Sequence, residues 1–120
     1  MVMEVEFYET SKGRQPAREF LENLSIKDRA KMLAVIKKLA ENGNMLRRPY
    51  SGLLRNSILE LRVCGENNQL RILYFFFVSN KAILSHGFVK KSSKVPELEI
   101  DKAIKNKKDY ERRYENEQRH

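Results

Sequence analysis

The sequence holds one cysteine, two histidines, three prolines and no tryptophan in 120 residues. A single cysteine, Cys64, permits neither an intrachain disulfide nor a cysteine metal cluster, which fits a reducing compartment. It falls in an expected hairpin loop near the anionic Glu66, with no cation placed to activate it, so it reads as an incidental thiol rather than a nucleophile. With His120 terminal, a zinc site would need carboxylates to converge on His86, and its expected surroundings offer only Glu60. No metal or other cofactor is expected. The phosphate-binding GxxxxGK[ST] and GxGxxG loops, the GxSxG elbow and the HExxH pair are missing. No apolar run approaches the ~18 residues of a membrane span, and MVMEVEFYE is acidic where a secretory signal is basic and then apolar. The expected location is the cytoplasm, with no membrane partner.

Positive charge is abundant but unevenly placed. The net charge is +8. Residues 1–46 carry eight Lys/Arg against seven Asp/Glu, and residues 95–120 carry seven against seven. Residues 47–94 carry nine against two, so nearly the whole excess sits there. A local basic concentration is the electrostatic footprint of a polyanion binder, with nucleic acid the first candidate.

A chain of this length is sized for one domain, residues 1–120, that buries roughly two thirds of its unfolded surface. From Val2 to Tyr8, Val5 and Phe7 alternate with Glu4 and Glu6, the pattern of a half-buried strand. Pro16 suits the first turn of a helix, which Phe20, Leu21 and Leu24 stripe and which ends near Asn23 or Leu24. Ser25 with Asp28 resembles a capping box opening a second helix. Ala30, Leu33, Ile36 or Lys37, and Ala40, with Met32, Val35 and Leu39, predict a broad apolar face on it, and Asn42-Gly43 a left-handed stop. Residues 44–56 read as a connection carrying Arg47, Arg48 and Arg55, which either extend a basic face or are simply solvated. After Pro96, Glu97, Glu99 and Asp101 favour a helix N-terminus. That C-terminal helix is firm to about Ile104 and weakens along its charged continuation, with residues 115–120 expected to be disordered.

The middle of the chain, ILELRVCGENNQLRILYFFFVSNKAILSHGFVKKSSK, holds three runs rich in β-branched, aromatic and Leu residues, the signature of a three-strand antiparallel meander. Pairing Val63 with Leu70 sets Arg62 opposite Arg71 and Glu60 opposite Leu73. A two-residue Ser79-Asn80 turn pairing Val78 with Lys81 sets Arg71 opposite Phe88 and Leu73 opposite His86. Opposed residues share a face. One face then collects Leu59, Leu61, Val63, Leu70, Ile72, Tyr74, Phe76, Ile83, Ser85, Gly87 and Val89, and is the core face. The other collects Arg62, Arg71, His86, Phe88 and Lys90, with Leu73, Phe75 and Leu84 towards its far end. The expected fold is α+β: an antiparallel sheet of the N-terminal strand plus the meander, packed by the helical hairpin, with a C-terminal helix. Gly87 on the core face would let a helix come close.

The cationic face suits cleavage of RNA by its own 2′-hydroxyl. That reaction needs a proton acceptor, cations on the pentavalent phosphorane and a donor for the departing 5′-oxygen. Arg62 and Arg71 are placed to hold the phosphate, Lys90 and Lys91 to bind phosphate or assist proton donation, and Phe88 to stack a base. Arg47, Arg48, Arg55 and Lys94 are further RNA-binding candidates. His86, with an unperturbed pKa of about 6.5, is either the acid-base group or a hydrogen-bonded sheet residue. Two arginines placed opposite one another repel unless Glu60 or a ligand lies between them.

The opening strand, the hairpin with EFLENL, then ELR at Glu60–Arg62, RILY at Arg71–Tyr74 and LSHGFVKKSSKVPELEI at Leu84–Ile100 resemble the phage-derived HigB-type branch of the RelE/ParE toxin superfamily. The resemblance implies a RelE-like toxin of a type II toxin–antitoxin system, a metal-independent endoribonuclease that cuts mRNA on the translating ribosome. It also implies a helix-turn-helix, HigA-like antitoxin, through which alone operator DNA is bound. The matching basic positions are Arg62, Arg71, Lys90 and Lys91. RelE proper also uses an aromatic hydroxyl near its C-terminus, for which neither Tyr110 nor Tyr114 can be assigned as the equivalent. Two alternatives stand beside this reading: a ParE-like inhibitor of DNA gyrase, and a non-catalytic RNA-binding regulator.

Overall fold

The computed structural model describes residues 3–78 and 80–118. The order of elements is β1 (Glu4–Phe7), α1 (Pro16–Glu22), α2 (Ile26–Asn42), a 3-10 turn (Gly43–Met45), β2 (Ser51–Leu53), β3 (Leu59–Cys64), β4 (Gln69–Phe77), β5 (Lys81–Lys90) and α3 (Glu97–Gln118). The five strands form one mixed sheet in the order β1-β5-β4-β3-β2. The fold is α+β, with the helical hairpin on one face and α3 on the other. No helix among the described residues is long and apolar enough to cross a membrane.

The hairpin forms where its signals lie. Pro16 opens α1, and the Ser25 hydroxyl accepts from Asp28 N at the start of α2, a cap worth about 1 kcal/mol. Gly43, at φ 56°, ends α2. Met32, Val35 and Leu39 are the apolar residues α2 buries, whereas Ala30 and Leu33 are exposed, so its apolar face is narrower than expected. They join Leu61, Val63, Leu70, Ile72 and Tyr74 in the main core. At Gly87 a β-carbon would lie 2.2 Å from the Phe20 ring, so the expected close approach of a helix is present, made by α1.

Strand register follows expectation through the first hairpin and half of the second: Arg62 opposes Arg71, Glu60 opposes Leu73, Arg71 opposes Phe88 and Leu73 opposes His86. A bulge then intervenes, because Tyr74 pairs with Leu84 and leaves Ser85 as the extra residue. Beyond it every β5 residue changes sides. Leu84 enters the hairpin core and Ile83 the opposite one, the reverse of the expected assignment. Phe77 rather than Val78 pairs with Lys81, so the expected two-residue turn becomes three residues, with Val78 at φ 50°; Ser79, expected in that turn, lies outside the described residues.

Three further expectations are corrected. β1 joins the sheet but runs parallel to β5, which the long intervening chain allows, so the sheet is mixed rather than antiparallel. The stretch read as connection contains β2, which pairs with β3 as a sheet edge. The C-terminal helix continues to Gln118, and residues 119–120 lie outside the described ones. Its second half is held by long-range contacts. Tyr110 donates to Glu6 at 2.9 Å and packs edge-on against Phe75 and Phe77, while Tyr8 donates to Asp109 at 2.6 Å. Asp109 also pairs with Arg113, and these donors hold its carboxyl down at about 2. Beneath α3, Tyr8, Ile58, Leu73, Phe75, Ile83 and Ala103 form a second core.

Candidate functional site

α3 covers only part of its face of the sheet. Where its first turn begins, strands β3, β4 and β5 present Glu60, Arg62, Arg71 and Lys90 at the floor of a groove of about 530 Å³. The groove is walled by Leu54 and Arg55 of the β2–β3 turn, by Ser93, Lys94 and Val95 of the β5–α3 loop, and by Glu97 and Ile100 of α3.

Glu60 organises the floor. Its carboxylate is buried between the opposed arginines, accepting from Arg71 Nε at 2.9 Å and from Arg62 Nη2 at 3.0 Å. The carboxylate expected to separate two like charges is in place. Arg71, with a side chain 9% exposed, also donates Nη1 to the Leu70 carbonyl at 2.9 Å. One carboxylate against two guanidiniums leaves one positive charge uncompensated, and Lys90 and Lys94 have no acidic partner among the described residues. The groove is thus preorganised for an anion at low reorganisation cost.

Gly52 in β2 completes the arrangement. It pairs with Glu60, and a β-carbon there would lie 2.7 Å from Arg62 Nη2 and 3.3 Å from Glu60 Oε2. A glycine on the edge strand therefore lets the Arg62 guanidinium fold against the sheet.

The remaining candidates are placed differently. Lys91 is exposed just past the end of β5 and does not line the groove. Arg55 stands at the rim, but its Nε donates to Glu97 at 2.8 Å and its Nη2 to Asp101 at 2.5 Å, so it ties the β2–β3 turn to α3. Arg47 and Arg48 are exposed in the turn before β2, outside the groove. Phe88 opposes Arg71 but is partly buried against the second core.

His86 shares the sheet face yet lies beneath α3, 4% exposed. Its Nε2 is 2.9 Å from Glu99 Oε1 and its Nδ1 is 3.0 Å from Ser85 Oγ. A carboxylate only accepts, so Nε2 carries the proton and Nδ1 accepts from the Ser85 hydroxyl, whose oxygen in turn accepts from Asn106 Nδ2 at 3.0 Å. The chain of bonds satisfies a neutral imidazole. Burial pushes its pKa below the usual value, against the opposing pull of Glu99. Of the two roles considered for His86, the geometry fits the hydrogen-bonded sheet residue.

Sequence reasoning did not place Gly52, Glu97 or Ile100 at the site: Gly52 reads as part of a connection, Glu97 as one of the acids opening α3 and Ile100 as part of that helix's apolar stripe. No cluster of three or more potential metal ligands occurs among the described residues.

A sequence profile of phage-derived Gp49-like proteins (DUF891) matches residues 19–108, three quarters of the chain, spanning every residue that lines the groove. The chain belongs to the Gp49-like family. That family is one of RelE/HigB-like toxins, so this Gp49-like protein is toxin-like, on a fold compatible with RelE. No curated protein sequence matches the chain.

Proposed function

We propose that this Gp49-like protein is a HigB-type toxin that cuts mRNA on the translating ribosome by metal-independent attack of the RNA 2′-hydroxyl. The observation that carries the reading is the open groove in which Arg62, Arg71, Lys90 and Lys94 converge around one buried carboxylate. Arg62, the more exposed of the pair, contacts the scissile phosphate, and Arg71, whose Nε and Nη1 are engaged by Glu60 and the Leu70 carbonyl, adds its charge from the floor of the groove. Lys90 and Lys94 stabilise the extra negative charge of the phosphorane. As the 2′-oxygen bonds to phosphorus and the bond to the 5′-oxygen breaks, Lys90 gives its proton to the departing oxygen. The products are a 2′,3′-cyclic phosphate and a 5′-hydroxyl. Glu97, the accessible carboxylate at the rim, takes the 2′-hydroxyl proton. His86 supports the sheet beneath α3 and takes no part in the reaction.

The partner in this reading is a HigA-like helix-turn-helix antitoxin that neutralises the toxin and carries the pair to operator DNA. The test sets two assays side by side. Purified protein added to a translation reaction is expected to cut mRNA, and added to DNA gyrase to leave supercoiling unaffected. Inhibited supercoiling with intact mRNA would overturn the reading in favour of a ParE-like activity.

A further inference from the structure

A second groove, of about 450 Å³, shares the arginine pair with the first. Arg62 and Arg71 line both grooves, and this one adds Lys31 of α2, Pro49 and Tyr50 of the turn before β2, and Gln69 of β4. A strand of RNA with a phosphate on the arginines must send nucleotides to either side, and a second groove lined by the same arginines can take a neighbouring base.

Tyr50 is suited to receive that base. It is 37% exposed, yet its backbone is fixed at two points and its neighbour at a third. Tyr50 N donates to Arg47 O at 3.1 Å, Arg62 N donates to Tyr50 O at 2.9 Å, and the next residue, Ser51, shares a 2.6 Å hydrogen bond with the buried Tyr74 hydroxyl. Lys38, which does not line the groove, lies 5.0 Å from the ring centroid in a cation–π contact. The turn and the β2–β3 pairing thus fix the backbone that carries the ring, and an aromatic platform held in place loses little entropy when a base stacks on it.

Resting on the RNA-cleaving reading above, we propose that Tyr50 is a stacking platform for the base adjoining the scissile phosphate, in a nucleotide subsite completed by Lys31 and Gln69. Lys31 supplies charge for the adjoining phosphate, and the exposed Gln69 amide offers a donor and an acceptor to the base edge. Stacking on an aromatic ring tolerates any base, so the platform strengthens binding without dictating sequence.

The test is a double-mutant cycle between the ring and the base. Single-stranded RNA oligonucleotides that carry 2′-O-methyl groups, and so cannot be cut, are titrated at low salt by fluorescence anisotropy. Each oligonucleotide carries an abasic site at one position in turn. The proteins are wild type, Tyr50→Phe, Tyr50→Ala and Arg62→Ala, each checked for native circular dichroism. Tyr50→Ala is expected to weaken binding about tenfold, the usual scale of one stacked base, and Tyr50→Phe to bind as wild type. One abasic position should weaken the wild type by the same factor and leave Tyr50→Ala unaffected. Full-strength binding by Tyr50→Ala, or losses that multiply at every abasic position, would overturn the subsite while Arg62→Ala still reports on the arginine groove. If wild type binds no free RNA, or Arg62→Ala binds as tightly as wild type, the subsite is overturned, while the RNA-cleaving reading stands or falls separately on whether mRNA is cut on ribosomes.

Discussion

Arg62 and Arg71 face one another across adjacent strands, and the carboxylate of Glu60 bonds both at 3.0 and 2.9 Å. Glu60 and Arg71 are almost wholly out of water, with side chains 5% and 9% exposed, while Arg62 is 32% exposed. The sheet therefore holds a preformed cationic pair whose repulsion one buried anion offsets. Removing that anion should be felt in folding before it is felt in function.

Glu60→Gln is expected to destabilise the protein by about 3 kcal/mol in urea unfolding, because breaking a buried pair leaves an uncompensated charge. The double change Glu60→Leu with Arg71→Leu should recover most of that loss and still bind RNA poorly. Equal stability of Glu60→Gln and wild type would show that the carboxylate does not hold the pair.

Gly52→Ala tests positioning without removing a charged group. The new methyl group would occupy the space of Arg62 Nη2, the far end of a flexible side chain, so the guanidinium should move while the fold persists. RNA cleavage is expected to fall about tenfold, the worth of roughly one charge-assisted hydrogen bond. The unfolding midpoint should change little. Unaltered cleavage would mean that the placement of Arg62 against β2 is immaterial.

His86 gives a pH signature in stability rather than in catalysis. Burial lowers its folded pKa, so below the unfolded value of about 6.5 the unfolded chain takes up a proton that the folded protein resists. The stabilisation is complete above pH 6.5 and declines as pH falls through that value towards the folded pKa. His86→Gln should flatten this part of the stability profile and leave the pH profile of RNA cleavage with its wild-type shape. Loss of a limb from the cleavage profile would instead make the imidazole an acid-base participant.

Asp109 anchors the second half of α3. Its carboxyl is held at about 2, chiefly by hydrogen bonds from Arg113 and Tyr8, so its contribution is fully present above an unfolded value near 4 and is lost as pH falls through about 2. Asp109→Asn is expected to cost about 1 kcal/mol at neutral pH and to reduce the acid sensitivity of unfolding below pH 4. Amide exchange should quicken across residues 104–118 in that variant; unchanged exchange would mean that the helix does not depend on this anchor.

The floor of the groove was legible because strand alternation set the register. Requiring one continuous apolar face placed Arg62 opposite Arg71, and Glu60 within reach of both. Ser85 was not legible: a bulge inserts one residue without a compositional mark, and it exchanged the faces of Ile83 and Leu84. The lower half of α3 was hidden for a different reason, since its local sequence is charged and its support comes from Glu6, Tyr8 and Phe77, far away in the chain. The same helix withdraws His86 from the open face, because Glu99 reaches back to the imidazole from an element whose position periodicity cannot give. β2, three residues long at a sheet edge, was too short to register as a strand.

The most direct test of the central claim is the fate of one end-labelled mRNA in a reconstituted translation system, with ribosomes present or omitted, using wild type, Arg62→Ala and Lys90→Ala, both changed at residues not fully buried. With ribosomes, wild type should release fragments ending in 2′,3′-cyclic phosphate. Without ribosomes the mRNA should stay intact, and both variants should cut at least a hundredfold more slowly while unfolding at the wild-type midpoint. Intact mRNA with wild type, or full-rate cutting by Arg62→Ala, would contradict the arginine groove as a ribonuclease site.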